Sequence, residues 1–173
     1  TDTSLSGLVI ASGTENVTNR VDLRHTGTGA TSRQLFKSAL FDKSRGTFKG
    51  NIYVAEGAAR TDASQSCRNL LASADARMVS EPQLEIYCDD VKCSHGATTG
   101  QLDERALFYM QTRGVPVEEA RNMLTQAFMA DVIDNISFEV LRQRMHILVE
   151  KRLSGATADC SSCAAACHAQ STE

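Results

Sequence analysis

The first hundred residues carry no long apolar stretch. They are cut into short patches at 21–23, 35–41, 48–54, 70–79 and 84–91. Between the patches lie clusters such as Thr26-Gly27-Thr28-Gly29 and Lys43-Ser44-Arg45-Gly46, the punctuation of short strands joined by turns. Phe48, Gly50, Ile52 and Val54 fall on alternate positions, as do Leu84 and Ile86, so every second side chain can face one core. This part is expected to be β. The patches are unevenly spaced and no repeat stands out, so sandwich and solenoid both stay open on pattern alone. One patch dissents, because Leu35, Phe36, Ala39 and Leu40 follow helical spacing.

From residue 101 the period changes. Apolar residues recur at intervals of three and four over 101–113, 116–134 and 138–153, which predicts three helices. Asp103 is placed to cap the first, and Gly114 to end it in the left-handed conformation. Pro116 suits the first turn of the second, with Glu118 and Glu119 at the positive end of its dipole. Ser137 is the expected N-cap of the third, which ends in Lys151 and Arg152 ahead of Gly155. The stretch 156–173 is small and polar and reads as a flexible tail. It holds Cys160, Cys163, Cys167 and His168, four soft donors, enough in number for one zinc or iron ion but with nothing to pack on.

With 173 residues, 42% of them hydrophobic and 23% charged, the chain has the make-up of one folded domain plus a small appendage. No stretch approaches the ~20 apolar residues that span a bilayer. A net charge of −3 with scattered basic residues argues against nucleic acid as a partner. Six cysteines in a chain of this size, with no signal-peptide pattern at its start, read as reduced thiols in the cytoplasm. The opening, without Met and close to the apolar Leu8-Val9-Ile10, reads as a fragment of a longer protein.

The most distinctive stretch is Tyr87-Cys88-Asp89-Asp90-Val91-Lys92-Cys93-Ser94-His95-Gly96-Ala97-Thr98. On a strand, Cys93 and His95 project from the same face, and a thiolate with an imidazole suits iron, zinc or copper. Two donors are half a site, and spacing alone favours a buried Cys beside a hydrogen-bonded His. The Gly27-Thr28-Gly29-Ala30 loop lacks the rest of a phosphate-binding motif and reads as a plain turn. Cys67 and Cys88 read as core, and His146 with Glu150 as an exposed helical pair. Hydrolase motifs are missing, and a thiol catalyst built on Cys93 and His95 would want an orienting third group.

The stretch 82–103, with Lys92-Cys93-Ser94-His95-Gly96-Ala97-Thr98 at its centre, closely resembles the SufD family of iron–sulfur cluster assembly proteins. Ser44-Arg45-Gly46-Thr47-Phe48, Thr61-Asp62-Ala63, Asn69-Leu70-Leu71, Ala106-Leu107-Phe108-Tyr109 and Arg113-Gly114 resemble family stretches too, so the likeness covers about residues 5–153. The related SufB family usually carries Glu-His-Glu-Ala where this chain has Ser94-His95-Gly96-Ala97.

The resemblance implies a mainly β protein with α. The last coils of a right-handed parallel β-helix would occupy 1–100 and a helical domain 101–155, which overrules the helical reading near Leu35. It implies a scaffold without catalysis of its own that pairs with a SufB-like protein and recruits a SufC-like ATPase through its helices. Cys93 and His95 map onto positions proposed to hold iron or a nascent iron–sulfur cluster, transiently and across a subunit interface, with none bound tightly by this chain alone. Apolar Phe128, Met129, Val132 and Ile133 cover too much of the second helix for one stripe, so they are expected to include an ATPase-facing surface, with core packing as the alternative. The implied location is the cytoplasm, or a plastid for a plant or algal source. The rival reading is a self-associating β-helical module, such as a homodimer, with no metal site.

Overall fold

A computed structural model describes residues 1–155. They form two units, divided between Glu104 and Arg105.

The first unit holds seven strands: β1 (Asp2–Ala11), β2 (Asn16–His25), β3 (Thr31–Leu40), β4 (Arg45–Val54), β5 (Thr61–Leu71), β6 (Arg77–Ile86) and β7 (Val91–Gly100). One sheet has the order β1-β3-β5-β7 and the other β2-β4-β6. All five pairings are parallel. Consecutive strands therefore lie in alternate sheets and each returns beside the strand two earlier, which is the winding of a parallel β-helix, as the resemblance implies. Asp2 pairs with Thr31, Thr31 with Asp62, and Thr61 with Val91, so one coil consumes about thirty residues. The loop at Gly27 to Gly29 is one of its corners. Gly29 adopts φ +64°, and its N–H donates to the Ala59 carbonyl of the next coil at 2.8 Å.

Strand alternation sorts side chains into inward columns, one residue per coil. Phe48, Gly50, Ile52 and Val54 on β4 are all buried, as their spacing predicts. Ile52 and Val54 pack with Ala58 and Ala63, while Phe36 and Phe48 meet from opposite sheets with ring centroids 4.8 Å apart and Cys67 beside them. Leu35, Phe36, Ala39 and Leu40 lie in a strand, not a helix. As a middle rung, β3 is paired on both edges, and its last five residues are all buried, which hides the alternation. Ile86 departs from expectation in the other direction. It sits at the end of β6, the outermost rung of its sheet, and is exposed, whereas Leu84 packs against the Ile52 cluster.

The second unit contains α1 (Glu104–Thr112) from its second residue on, α2 (Val117–Ile133) and α3 (Glu139–Leu153). Gly114 and Gly155 follow α1 and α3 with φ of +86° and +76°, the left-handed conformation their positions predict. Pro116 is the N-cap of α2. Ser137 is not the cap of α3; that position belongs to Phe138, in extended conformation and without a side-chain capping bond. His146 bonds Asp134 at 2.9 Å instead of pairing with Glu150. No helix among the described residues is long and apolar enough to cross a membrane.

Burial separates two phenylalanines sharply: Phe48 is 1% exposed and Phe108 is 68% exposed. Phe48→Ala is expected to cost about 3–5 kcal/mol of unfolding free energy in urea titrations, and Phe108→Ala no more than about 0.5 kcal/mol.

Candidate functional site

β7 carries the motif. Its alternation places Val91, Cys93, His95, Ala97 and Thr99 in the inward columns above Thr61, Ala63, Gln65, Cys67 and Asn69 of β5. β7 is also the outermost rung of its sheet, paired with β5 alone among the described residues, and it lies one rung beyond β6, where the opposite sheet ends. An inward-facing residue on this strand is therefore not enclosed as its counterparts below are. Gln65 is buried, whereas His95 directly above it is exposed.

The two donors sit in different surroundings. Cys93 is half-buried against the Ile52, Val54, Ala58 and Ala63 cluster. Burial pushes its thiol above the ordinary value, a backbone hydrogen bond from Ala63 works against that, and the negative charge of Asp62 adds to it. Asp62 itself is held below the usual carboxylate range, first by its hydrogen bond from Arg33, whose Nη1 lies 3.0 Å from Oδ1. Asn69, buried one coil below, holds the far end of β7. Its Nδ2 donates to the Thr98 carbonyl at 3.1 Å and to Ser80 Oγ on β6 at 3.0 Å.

The structure thus puts Cys93 and His95 on one face of an edge strand. No group of three or more His, Cys, Asp or Glu that could hold a metal ion occurs among the described residues. Cys67 is buried and Cys88 half-buried against the same cluster as Cys93; all three of these thiols are free. Of the four residues expected to include a partner-facing surface, Met129, Val132 and Ile133 are buried and Phe128 is half-buried. For the first three this is the core alternative, because their spacing places them on the inward side of α2. The exposed large apolar residues of that unit are others, among them Phe108, Tyr109, Phe138 and Val140. Cys160, Cys163, Cys167 and His168 lie outside the described residues.

Sequence reasoning missed the buried amides Gln34 and Gln65, which occupy the same inward column as His95. They are one coil apart, a spacing that becomes a signal only once the strand register gives the coil length.

A solenoid of parallel strands in two sheets, with a thiol and an imidazole on one face of its last described strand, defines the class: a parallel β-helical protein. Comparison with known proteins is more specific. Residues 1–128 match the family model for the SUF system FeS cluster assembly SufBD core domain, a span that takes in the whole solenoid. The chain belongs to the SufBD family. It is 41% identical over 136 residues to the iron-sulfur cluster assembly protein SufD of Escherichia coli, covering 79% of this chain and 32% of that protein. It is 39% identical over 124 residues to a SufBD family protein of Synechocystis, covering 72% and 27%. With Protein ABCI7, chloroplastic, of Arabidopsis thaliana it shares 40% over 114 residues, covering 65% and 24%. The chain spans about a third or less of the length of these relatives.

The raised thiol makes a measurable statement. Alkylation of Cys93 by iodoacetamide, followed by peptide mass spectrometry, is expected to reach half its maximal rate at a higher pH in the native chain than in urea, because only the thiolate reacts. Asp62→Asn is expected to move the native midpoint part of the way back down.

Proposed function

We propose that this chain is part of a scaffold subunit of the SUF machinery, which assembles iron–sulfur clusters. In this reading it pairs with a SufB-like protein through the solenoid and recruits a SufC-like ATPase through its helices. It offers Cys93 and His95 as a half-shell for iron or a nascent cluster, the cargo of the process.

The observation that carries the reading is the placement of two soft donors on one face of a strand whose outer edge is unpaired among the described residues. An unpaired parallel edge is a template for another strand. A partner docked there would bring its own side chains to donors that are too few to close a coordination shell. The family names of the relatives support the process, and the exposed apolar residues of the helical unit support a protein contact there. Opening and closing such a shared site would follow from any ATP-driven change in how the subunits sit. A copy of the same chain could use the same edge, and this is the competing reading.

The test is a pull-down of the whole protein with SufB-like and SufC-like partners, scored for bound iron with and without ATP. His95→Ala and Cys93→Ala are expected to leave the complex intact while lowering cluster formation at least about tenfold, the scale of losing a metal-site contact. Undiminished cluster formation by His95→Ala would remove the site. A complex of this protein with itself alone, seen by light scattering, would favour the homomeric reading.

A further inference from the structure

Gln34, Gln65 and His95 stack in one inward column on β3, β5 and β7. Gln34 is 3% exposed and Gln65 2%. The Gln65 Nε2 donates to Gln34 Oε1 at 2.8 Å. That bond leaves the pair with a loose donor, Gln34 Nε2, and a loose acceptor, Gln65 Oε1, both buried without a hydrogen-bond partner. Buried amide atoms are rarely left in this state.

The neighbouring rungs distinguish the two ends. Beyond Gln34 the column continues to Leu5, which has no side-chain polar atom. Beyond Gln65 it continues to His95, an exposed imidazole with no hydrogen-bond partner among the described residues. The carboxamide is fitted into its place, because a Cβ on Gly50 of the facing strand would lie 2.5 Å from both Gln65 Nε2 and Oε1. Adjacent strands are about 4.8 Å apart, so the His95 backbone stands one rung from that of Gln65, a separation that an imidazole and a carboxamide side chain can span.

We propose that Gln65 is a positioning residue for His95. Its Oε1 accepts the N–H of one ring nitrogen, which selects a single tautomer, sets the ring plane and leaves the lone pair of the second nitrogen for a metal ion. A neutral imidazole can donate from only one nitrogen, and the bond made by that nitrogen decides what the other presents. The hydrogen bond stands on the column alone. Its consequence for metal binding rests on the ligand role proposed for His95.

The test uses the whole protein labelled with 15N at histidine, with the His95 signals identified by their loss in His95→Gln. At mildly alkaline pH the ring is expected as a single neutral tautomer. Gln65→Leu should give the averaged signals of two tautomers, and Gln65→Glu, which keeps an acceptor, should restore one. Gly50→Ala, which crowds the carboxamide while leaving Gln65 in place, should also give the average. Cobalt(II), titrated as a spectroscopic substitute for iron into the complex with both partners, is expected to bind about 10- to 100-fold more weakly to Gln65→Leu. A mixture of tautomers in the unaltered protein, or a single tautomer that survives Gln65→Leu, overturns the contact. A Gln65-dependent single tautomer in a complex that takes up no cobalt upholds the contact and defeats the ligand role of His95 instead.

Discussion

In a parallel β-helix every backbone N–H and C=O of a strand lies along the coil axis, so only the rung above and the rung below can satisfy it. Interior rungs have both: β3 sits between β1 and β5, and β4 between β2 and β6. The outermost rungs have one. On β7 the groups facing away from β5 have no strand to meet among the described residues. The backbone's unmet demand and the chain's most distinctive side chains therefore fall on the same ten residues. A docking strand would complete the ladder, and in doing so would be carried past Cys93 and His95.

The same stacking rule governs the interior. A column repeats its position from coil to coil, so a polar residue placed in one coil forces a decision on the next. Asn69 resolves it by bonding to Ser80 and to the Thr98 carbonyl, and His25 by meeting Ser32 Oγ at 3.0 Å. Gln34 and Gln65 satisfy each other only halfway. In a low-dielectric interior such a remainder is costly, about 1–3 kcal/mol for each unmet group. On the Gln65 side the next rung is His95, which is exposed, so the remainder there borders a residue that the core does not enclose. Gly50 is part of the same device: by lacking a side chain it gives the Gln65 carboxamide room in a core otherwise filled by Phe48 and Ile52.

These columns also explain what could be read from the residues alone. On β4 the alternation survives because the outward Thr47, Lys49, Asn51 and Tyr53 contrast with the buried positions. On β3 the contrast is lost, and three-and-four spacing of Leu35, Phe36, Ala39 and Leu40 imitates a helix. The coil period was illegible for a different reason, since a column need not keep its chemistry: Leu5, Gln34, Gln65 and His95 occupy equivalent places. The pairing of Cys93 with His95 was legible because it depends only on local strand geometry. Gln65 was not, because its relation to His95 exists only once the coil length is known. For Met129, Val132 and Ile133 helical spacing gave the cluster, but which side of a helix is covered is decided by tertiary packing.

The surroundings of Cys93 also bear on which chemistry the edge can support. A nucleophilic cysteine works as thiolate, so its site should lower the thiol's pKa through a cation, a helix N-terminus or a paired base. Around Cys93 the balance is reversed, with burial foremost and the Asp62 carboxylate adding to it, and only the Ala63 backbone hydrogen bond opposing. A thiol pushed above its ordinary value is a poorer attacking group than an unperturbed one. A metal ion would change the balance by supplying the positive charge that the protein withholds, and its binding would release the proton. Under the proposed function such an edge would become a donor site only on the arrival of a cation, as transient cargo requires; the surroundings of Cys93 give no support of their own to a thiol catalyst built on the same two residues.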